Sequence, residues 1–254
     1  MTPGFREFEF DLPDALLKSI IDAFNGMESA PLNPGDLADI PEAQGVYQLL
    51  LGNKIVYIGK TDSEAGLNKR LARHAWTILH RQNLDVSDVS FKAIRVFVFT
   101  AMDLETQLIN FYRGKSDVSW NNSGFGSNDP GRNRDWTTAK AGSFDVLYPL
   151  NLDEPFLLDL QGETAVWDVI TALKRTLPYT LRVETVGRNF RNPHPDFLDV
   201  RMGMNTGNTT VREVLSTVVA GLPEGWQATA LAGRVILYKE HVDNYPAGRI
   251  IARK

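Results

Sequence analysis

The sequence predicts an α+β protein. A small antiparallel sheet flanked by helices is followed by a second α/β domain with a duplicated β-α-β unit. Three observations carry this. Two short apolar runs, 45–51 and 55–58, flank Gly52-Asn53, the pattern of a tight hairpin. From there to residue 113 the apolar spacing changes from helix to strand to helix. Beyond a composition change at 149–155 a strand, helix and strand pattern occurs twice, which places a boundary between residues 1–150 and 151–254.

Taken in order, Asp14 to Phe24 places Leu16, Leu17, Ile20, Ile21 and Phe24 at helical spacing, with Gly26 as a stop. Residues 31–41 hold three prolines and read as a loop. The hairpin follows, with Gly59 expected to end its second strand. Residues 67–82 form the next predicted helix, with Leu71, His74, Ala75, Ile78 and Leu79 on one face. Phe91 to Thr100 alternates as a third strand, and Asp103 to Arg113 returns to helical spacing through Leu104, Leu108, Ile109 and Tyr112. Residues 119–133, rich in Asn, Gly and Ser, read as loop.

In the C-terminal domain strands are expected at 156–160, 180–185, 197–202, 226–231 and 234–239, with helices at 164–177 and 210–222. Both helices open on threonine, at Thr164 and at Thr209-Thr210, which predicts a threonine cap for each. Trp136, Trp167 and Trp226 are expected in the core.

The 254 residues include no cysteine, so disulfides and thiolate metal sites are excluded, and any metal must rest on oxygen or histidine ligands. A hard cation, Mg2+ or Mn2+, suits such ligands. The acidic start, with Glu7, Glu9, Asp11 and Asp14, lacks the basic and apolar regions of a signal peptide. No run is long enough for a membrane span. The expectation is a soluble, cytoplasmic protein with no membrane association. The net charge of −4 conceals a division along the chain. Residues 1–53 carry two Lys/Arg against nine Asp/Glu, whereas residues 54–140 carry thirteen against nine. The basic excess thus falls on one segment, as a phosphate-binding surface requires.

That segment also carries an ordered set of polar side chains. Gly45-Val-Tyr47 is followed, after nine residues, by Tyr57-Ile-Gly59, which sets two tyrosines on adjacent antiparallel strands. Arg70 stands thirteen residues on, and His74 lies one helical turn beyond it on the same helix side. Glu105 opens the last helix of the segment, and Trp120-Asn121 follows it. Each residue has an ordinary reading by itself. Strand tyrosines are commonly core or rim residues, and Arg70 and His74 amid Lys69, Arg73, His80 and Arg81 match the solvated face of a basic helix. Glu105 suits a helix start in any protein. It is the ordered set of six that is hard to obtain by chance.

The set resembles the GIY-YIG nuclease superfamily over residues 45–149. The tail Trp120-Asn-Asn-Ser-Gly-Phe-Gly-Ser-Asn-Asp-Pro-Gly-Arg-Asn-Arg134, with Phe144-Asp-Val-Leu-Tyr-Pro149, is similar to its type II restriction endonuclease branch. Valine replaces isoleucine in the first motif, which leaves the phenol untouched.

The resemblance implies metal-dependent hydrolysis of DNA phosphodiesters in a defence role. Tyr47 is then the general base and Tyr57 positions the attacking water. Arg70 stabilises the scissile phosphate, His74 holds a tyrosine oxygen, Glu105 is the metal ligand and Asn121 anchors the site, with its neighbour Asn122 an open alternative. Lys60, Arg132 and Arg134 are candidate DNA contacts. A two-fold DNA site would be matched by a homodimer.

Two other readings stay open: a non-catalytic DNA-binding or adaptor protein on a nuclease-like scaffold, and a repair or mobile-element nuclease. The C-terminal domain is neutral, with twelve Lys/Arg and twelve Asp/Glu from residue 151 onward. It is expected to serve oligomerisation, a protein partner or target selection.

Overall fold

The computed structural model describes residues 3–9, 11–62, 64–97, 103–114, 118–126, 129–187, 192–204 and 207–254. It is a mixed α+β protein whose residues gather into two compact units. One holds residues 1–72 and 86–121, the other residues 73–85 and 122–254. No helix among the described residues is long and apolar enough to cross a membrane.

The first unit opens with α1 (Leu12–Gly26), capped by the Asp11 side chain and burying Ile20, Ile21 and Phe24. The proline-rich stretch is more ordered than expected. It forms β1 (Ala30–Pro31) and α2 (Pro34–Leu37), because the Asn33 side chain accepts from the Asp36 amide at 3.1 Å and Pro34 has the backbone angle that a first helical turn needs. Strands β2 (Gly45–Leu51) and β3 (Lys54–Thr61) form the hairpin. Gly59 lies inside β3, which continues to Thr61, so that strand runs past its expected end. Helix α3 (Leu67–Leu79) starts in this unit and passes at residue 73 into the other.

Strand β4 (Val89–Arg95) and α4 (Leu104–Arg113) complete the unit. The part of the predicted third strand at 98–100 lies outside the described residues. The sheet order is β1-β4-β2-β3, antiparallel throughout, with β3 at one edge. Val46 and Ile58 pack with Ile20, Ile21 and Phe24 of α1 and with Leu104, Leu108 and Ile109 of α4. Successive strand side chains alternate between faces, so Tyr47 and Leu49 occupy the opposite face of the sheet.

In the second unit the end of α3 is stitched to residues 149–151. The Gln82 amide donates to Pro149, the Asn151 amide donates to His80, and Arg81 bridges to Leu150. The ordinary alternative of a solvated basic face does not hold for His80 and Arg81: His80 is buried, and Arg81, 6% exposed, pairs with Asp145 at 2.8 Å and lies over the Phe144 ring. Then follow α5 (Phe144–Leu147), β5 (Phe156–Leu158), β6 (Gly162–Ala165), α6 (Val166–Thr176), β7 (Thr180–Val183), β8 (Thr185–Val186) and β9 (Asn192–Pro193). The chain continues through α7 (Pro195–Asp199), β10 (Arg201–Met204), β11 (Gly207–Thr209), α8 (Val211–Gly221), β12 (Gln227–Leu231), β13 (Arg234–Tyr238) and β14 (Arg249–Arg253).

The largest sheet of this unit runs β14-β12-β13-β7, with β7 parallel to β13 and the other pairs antiparallel. Its core gathers Val169, Ile170 and Leu173 of α6 with Val214, Leu215 and Val218 of α8. Two expectations fail locally. Residues 197–199 are helical, because Pro195 starts α7 and the His194 ring nitrogen accepts from the Asp196 amide at 3.2 Å. The two threonine starts also differ. Thr210 makes a reciprocal capping box with Glu213, whereas Thr164 belongs to β6 and the cap of α6 is Ala165, with no side-chain bond.

Candidate active site

Within the first unit, the hairpin register determines where the two phenols meet. Tyr47 pairs with Gly59 and Tyr57 pairs with Leu49, so the tyrosines are diagonal neighbours on one face and not directly opposite one another. Their ring centroids are 6.1 Å apart. Gly59 makes this possible. A Cβ there would lie 3.0 Å from Tyr47 Cε1 and closer still to Cζ and the phenol oxygen. The glycine of the second motif is therefore the floor on which the first tyrosine rests, a role for which the pairing register was needed.

Arg70 of α3 is hydrogen-bonded to the Tyr47 phenol, and the two phenols are hydrogen-bonded to each other. Tyr47 is fully buried and Tyr57 is 9% exposed. Burial pushes the Tyr47 phenol far above the ordinary phenol range, with the neighbouring Tyr57 and Glu105 adding to the shift and Arg70 opposing it. Tyr57 is raised by burial and by Glu105, again against Arg70. The Nε of Arg70 is buried without a hydrogen-bond partner among the described residues, which leaves one guanidinium donor for an anionic oxygen.

Glu105 stands in the first turn of α4, half-buried. Burial holds its carboxyl above the usual range. Asp103 adds to that, while Lys60 and Arg70 pull the other way. Asp103 caps α4 and pairs with Lys60 at 2.9 Å, and Lys60 and Thr106 bring its carboxyl down to about 2. Lys60, expected to contact phosphate, thus has a carboxylate partner in this structure. The participation of Asp103 escaped the sequence reading, although an aspartate directly before a helix is a capping signal.

Asn121 pairs through its side-chain amide with the edge of β3. Oδ1 accepts from the Ile58 amide and Nδ2 donates to the Ile58 carbonyl, both at 2.9 Å. Backbone bonds from Val118 to Ile55 and from Trp120 to Val56 extend the same contact. Asn122 is exposed with φ +58°, so the geometry favours Asn121 as the anchor. This amide continues the strand ladder with a side chain and closes an edge that would otherwise be open.

Tyr47, Tyr57, Arg70, Glu105 and Asn121 therefore lie in one compact unit, the first four in mutual electrostatic contact. His74 belongs to the second unit, where it is 3% exposed and stacks on Phe125 with ring centroids 4.8 Å apart. Arg132 also lies there. It pairs with Glu184 at 3.0 Å and lies over the Tyr238 ring at 4.1 Å. Arg134 is exposed.

Could a cation be held at Glu105? Among the described residues no three His, Asp or Glu side chains gather as a metal-binding group. Any cation at Glu105 would rest on one protein carboxylate and otherwise on water and phosphate oxygens. Magnesium tolerates such a shell well. A half-buried carboxyl whose charge is disfavoured by burial and by Asp103 fits this use, because a nearby positive charge would relieve both.

No protein-family model and no curated protein sequence matches the chain.

Proposed function

We propose that the chain is a metal-dependent DNA endonuclease of the GIY-YIG class, restriction-like in its action. The observation that carries this reading is the electrostatic contact among Tyr47, Tyr57, Arg70 and Glu105, with the two phenols neighbours on one face of a small antiparallel sheet and Arg70 hydrogen-bonded to Tyr47.

Phosphodiester hydrolysis needs water activated for attack on phosphorus and stabilisation of the charge that builds on the phosphate oxygens. Arg70 supplies permanent positive charge and a planar fork suited to phosphate. Tyr47 is the candidate base. In the resting site burial keeps its phenol protonated, and the charge of Glu105 contributes to this. Neutralising Glu105 therefore lowers the cost of the phenolate, and Arg70 is already placed to stabilise it. Tyr57, hydrogen-bonded to Tyr47, orients the water or shares its proton. Glu105 would hold Mg2+ or Mn2+, which when bound supplies Lewis-acid stabilisation of the phosphate. Asn121 fixes the β3 edge beside Tyr57.

The test is plasmid cleavage in magnesium by the wild type and by Glu105→Gln. The reading expects cutting by the wild type alone. A wild type that binds DNA without cutting it would point to the adaptor role, and unchanged cutting by Glu105→Gln would remove Glu105 from the mechanism.

A further inference from the structure

Trp136 departs from its expected place in the core. It is 54% exposed, and the Tyr245 ring is packed beside it with a centroid distance of 4.5 Å. Roughly half of a large aromatic surface therefore stays in water on a segment that is otherwise polar. Single exposed apolar residues are ordinary, but a fixed, open indole is one of the most effective contact groups a surface can offer.

The segment is held firmly. Asp135, 2% exposed, accepts from Arg182 Nη1 at 2.7 Å, from Arg234 Nε at 2.8 Å and from the Tyr238 hydroxyl at 3.0 Å. Arg234 also donates to the Arg134 carbonyl at 2.7 Å. Buried carboxylates engaged by two guanidinium groups are strongly restrained, so the backbone that carries Trp136 is preorganised.

The latch also determines the charge that the surface shows. Asp135 is the sole acid between Pro130 and Phe144, and it is turned inward and neutralised. What faces solvent is Arg134, Trp136 and Lys140 among small polar residues. Exposed cations two residues before and four residues after an open aromatic residue in the chain suit nucleic acid, the ring packing on a flat sugar face and the cations meeting phosphates.

We propose that Arg134, Trp136 and Lys140 form a DNA-contact strip on the second unit, in which the indole packs on a deoxyribose face and the two cations meet neighbouring phosphates. This rests on DNA being the substrate. Arg132 takes no part, because Glu184, Glu240 and the Tyr238 ring already engage it.

The experiment uses the full chain carrying Glu105→Gln, so that DNA is bound and not cut, and measures the fluorescence anisotropy of a labelled mixed-sequence duplex. Adding Trp136→Ala is expected to weaken binding by about tenfold with the salt dependence unchanged, since an apolar contact carries no counterion release. Adding Trp136→Phe should restore part of the loss. Arg134→Gln should lower the slope of log K against log salt by about 0.9. Iodide quenching of the exposed tryptophan should fall when DNA is added. Tight binding that Trp136→Ala leaves unchanged would overturn the strip and leave the nuclease reading standing. A parent protein that binds no DNA would overturn both, and the surface would then be sought as a protein contact.

Discussion

Replacing Gly59 by alanine tests the geometry of the candidate site with a single methyl group. The added Cβ would lie 3.0 Å from Tyr47 Cε1 and nearer to Cζ and the phenol oxygen. Carbon atoms in contact ordinarily sit about 3.5–4.0 Å apart, so the ring must retreat by roughly 1 Å. Tyr47 is fully buried and has no open space to enter, so the neighbours must yield with it. Overpacking of this kind costs about 1–3 kcal/mol. At roughly 4 °C per kcal/mol the melting transition falls by about 4–12 °C. On the proposed nuclease reading, in which the Tyr47 phenol is the base, displacing it by about 1 Å lowers cleavage on the order of a hundredfold.

Calorimetry gives the first quantity and plasmid cleavage at a permissive temperature gives the second. Removing the phenol oxygen with Tyr47→Phe takes away one of the colliding atoms. The cost of Gly59→Ala should then be smaller in the Tyr47→Phe background, a coupling of about 0.5 kcal/mol or more. An alanine variant with wild-type melting and wild-type cleavage would refute the placement of Tyr47 over Gly59.

Asn121→Ala removes both bonds to Ile58 and strips the Ile58 amide and carbonyl of their side-chain partner, at a cost of about 1–3 kcal/mol that urea unfolding can measure. Hydrogen exchange at the Ile58 amide should accelerate in Asn121→Ala and stay unchanged in Asn122→Ala. For the phenols the sign follows from their raised values. The fold favours the neutral form, so this contribution to stability is complete below the unfolded phenol value near 10 and is lost as pH rises above it. Spectrophotometric titration of the folded protein should therefore show Tyr47 and Tyr57 ionising above the ordinary range, and higher again in Arg70→Ala. Ordinary midpoints for both would contradict the burial described.

The local elements of the first unit were legible because their causes are local. Residues 45–51 and 54–61 carry the apolar spacing and the Gly52-Asn53 link of a hairpin, and Asp103 starts α4 as a capping residue should. The order of Tyr47, Tyr57, Arg70 and Glu105 along the chain was enough to single them out. Tertiary contacts decided the rest. Spacing cannot say that Tyr47 faces Gly59 and not Tyr57, because a hairpin's register depends on the pairing of whole strands and here includes a bulge after Leu49.

Nor could composition show which charges are solvated. Arg81 and Asp135 look like surface residues in the sequence, yet each is buried by a partner more than forty positions away, Asp145 for the first and Arg182 and Arg234 for the second. Trp136 shows the converse, an apolar side chain left half in water beside the buried Asp135. A chain records which groups it carries and their local preferences. Which of those groups lose their water is settled only when distant segments meet, because desolvation depends on every neighbour at once.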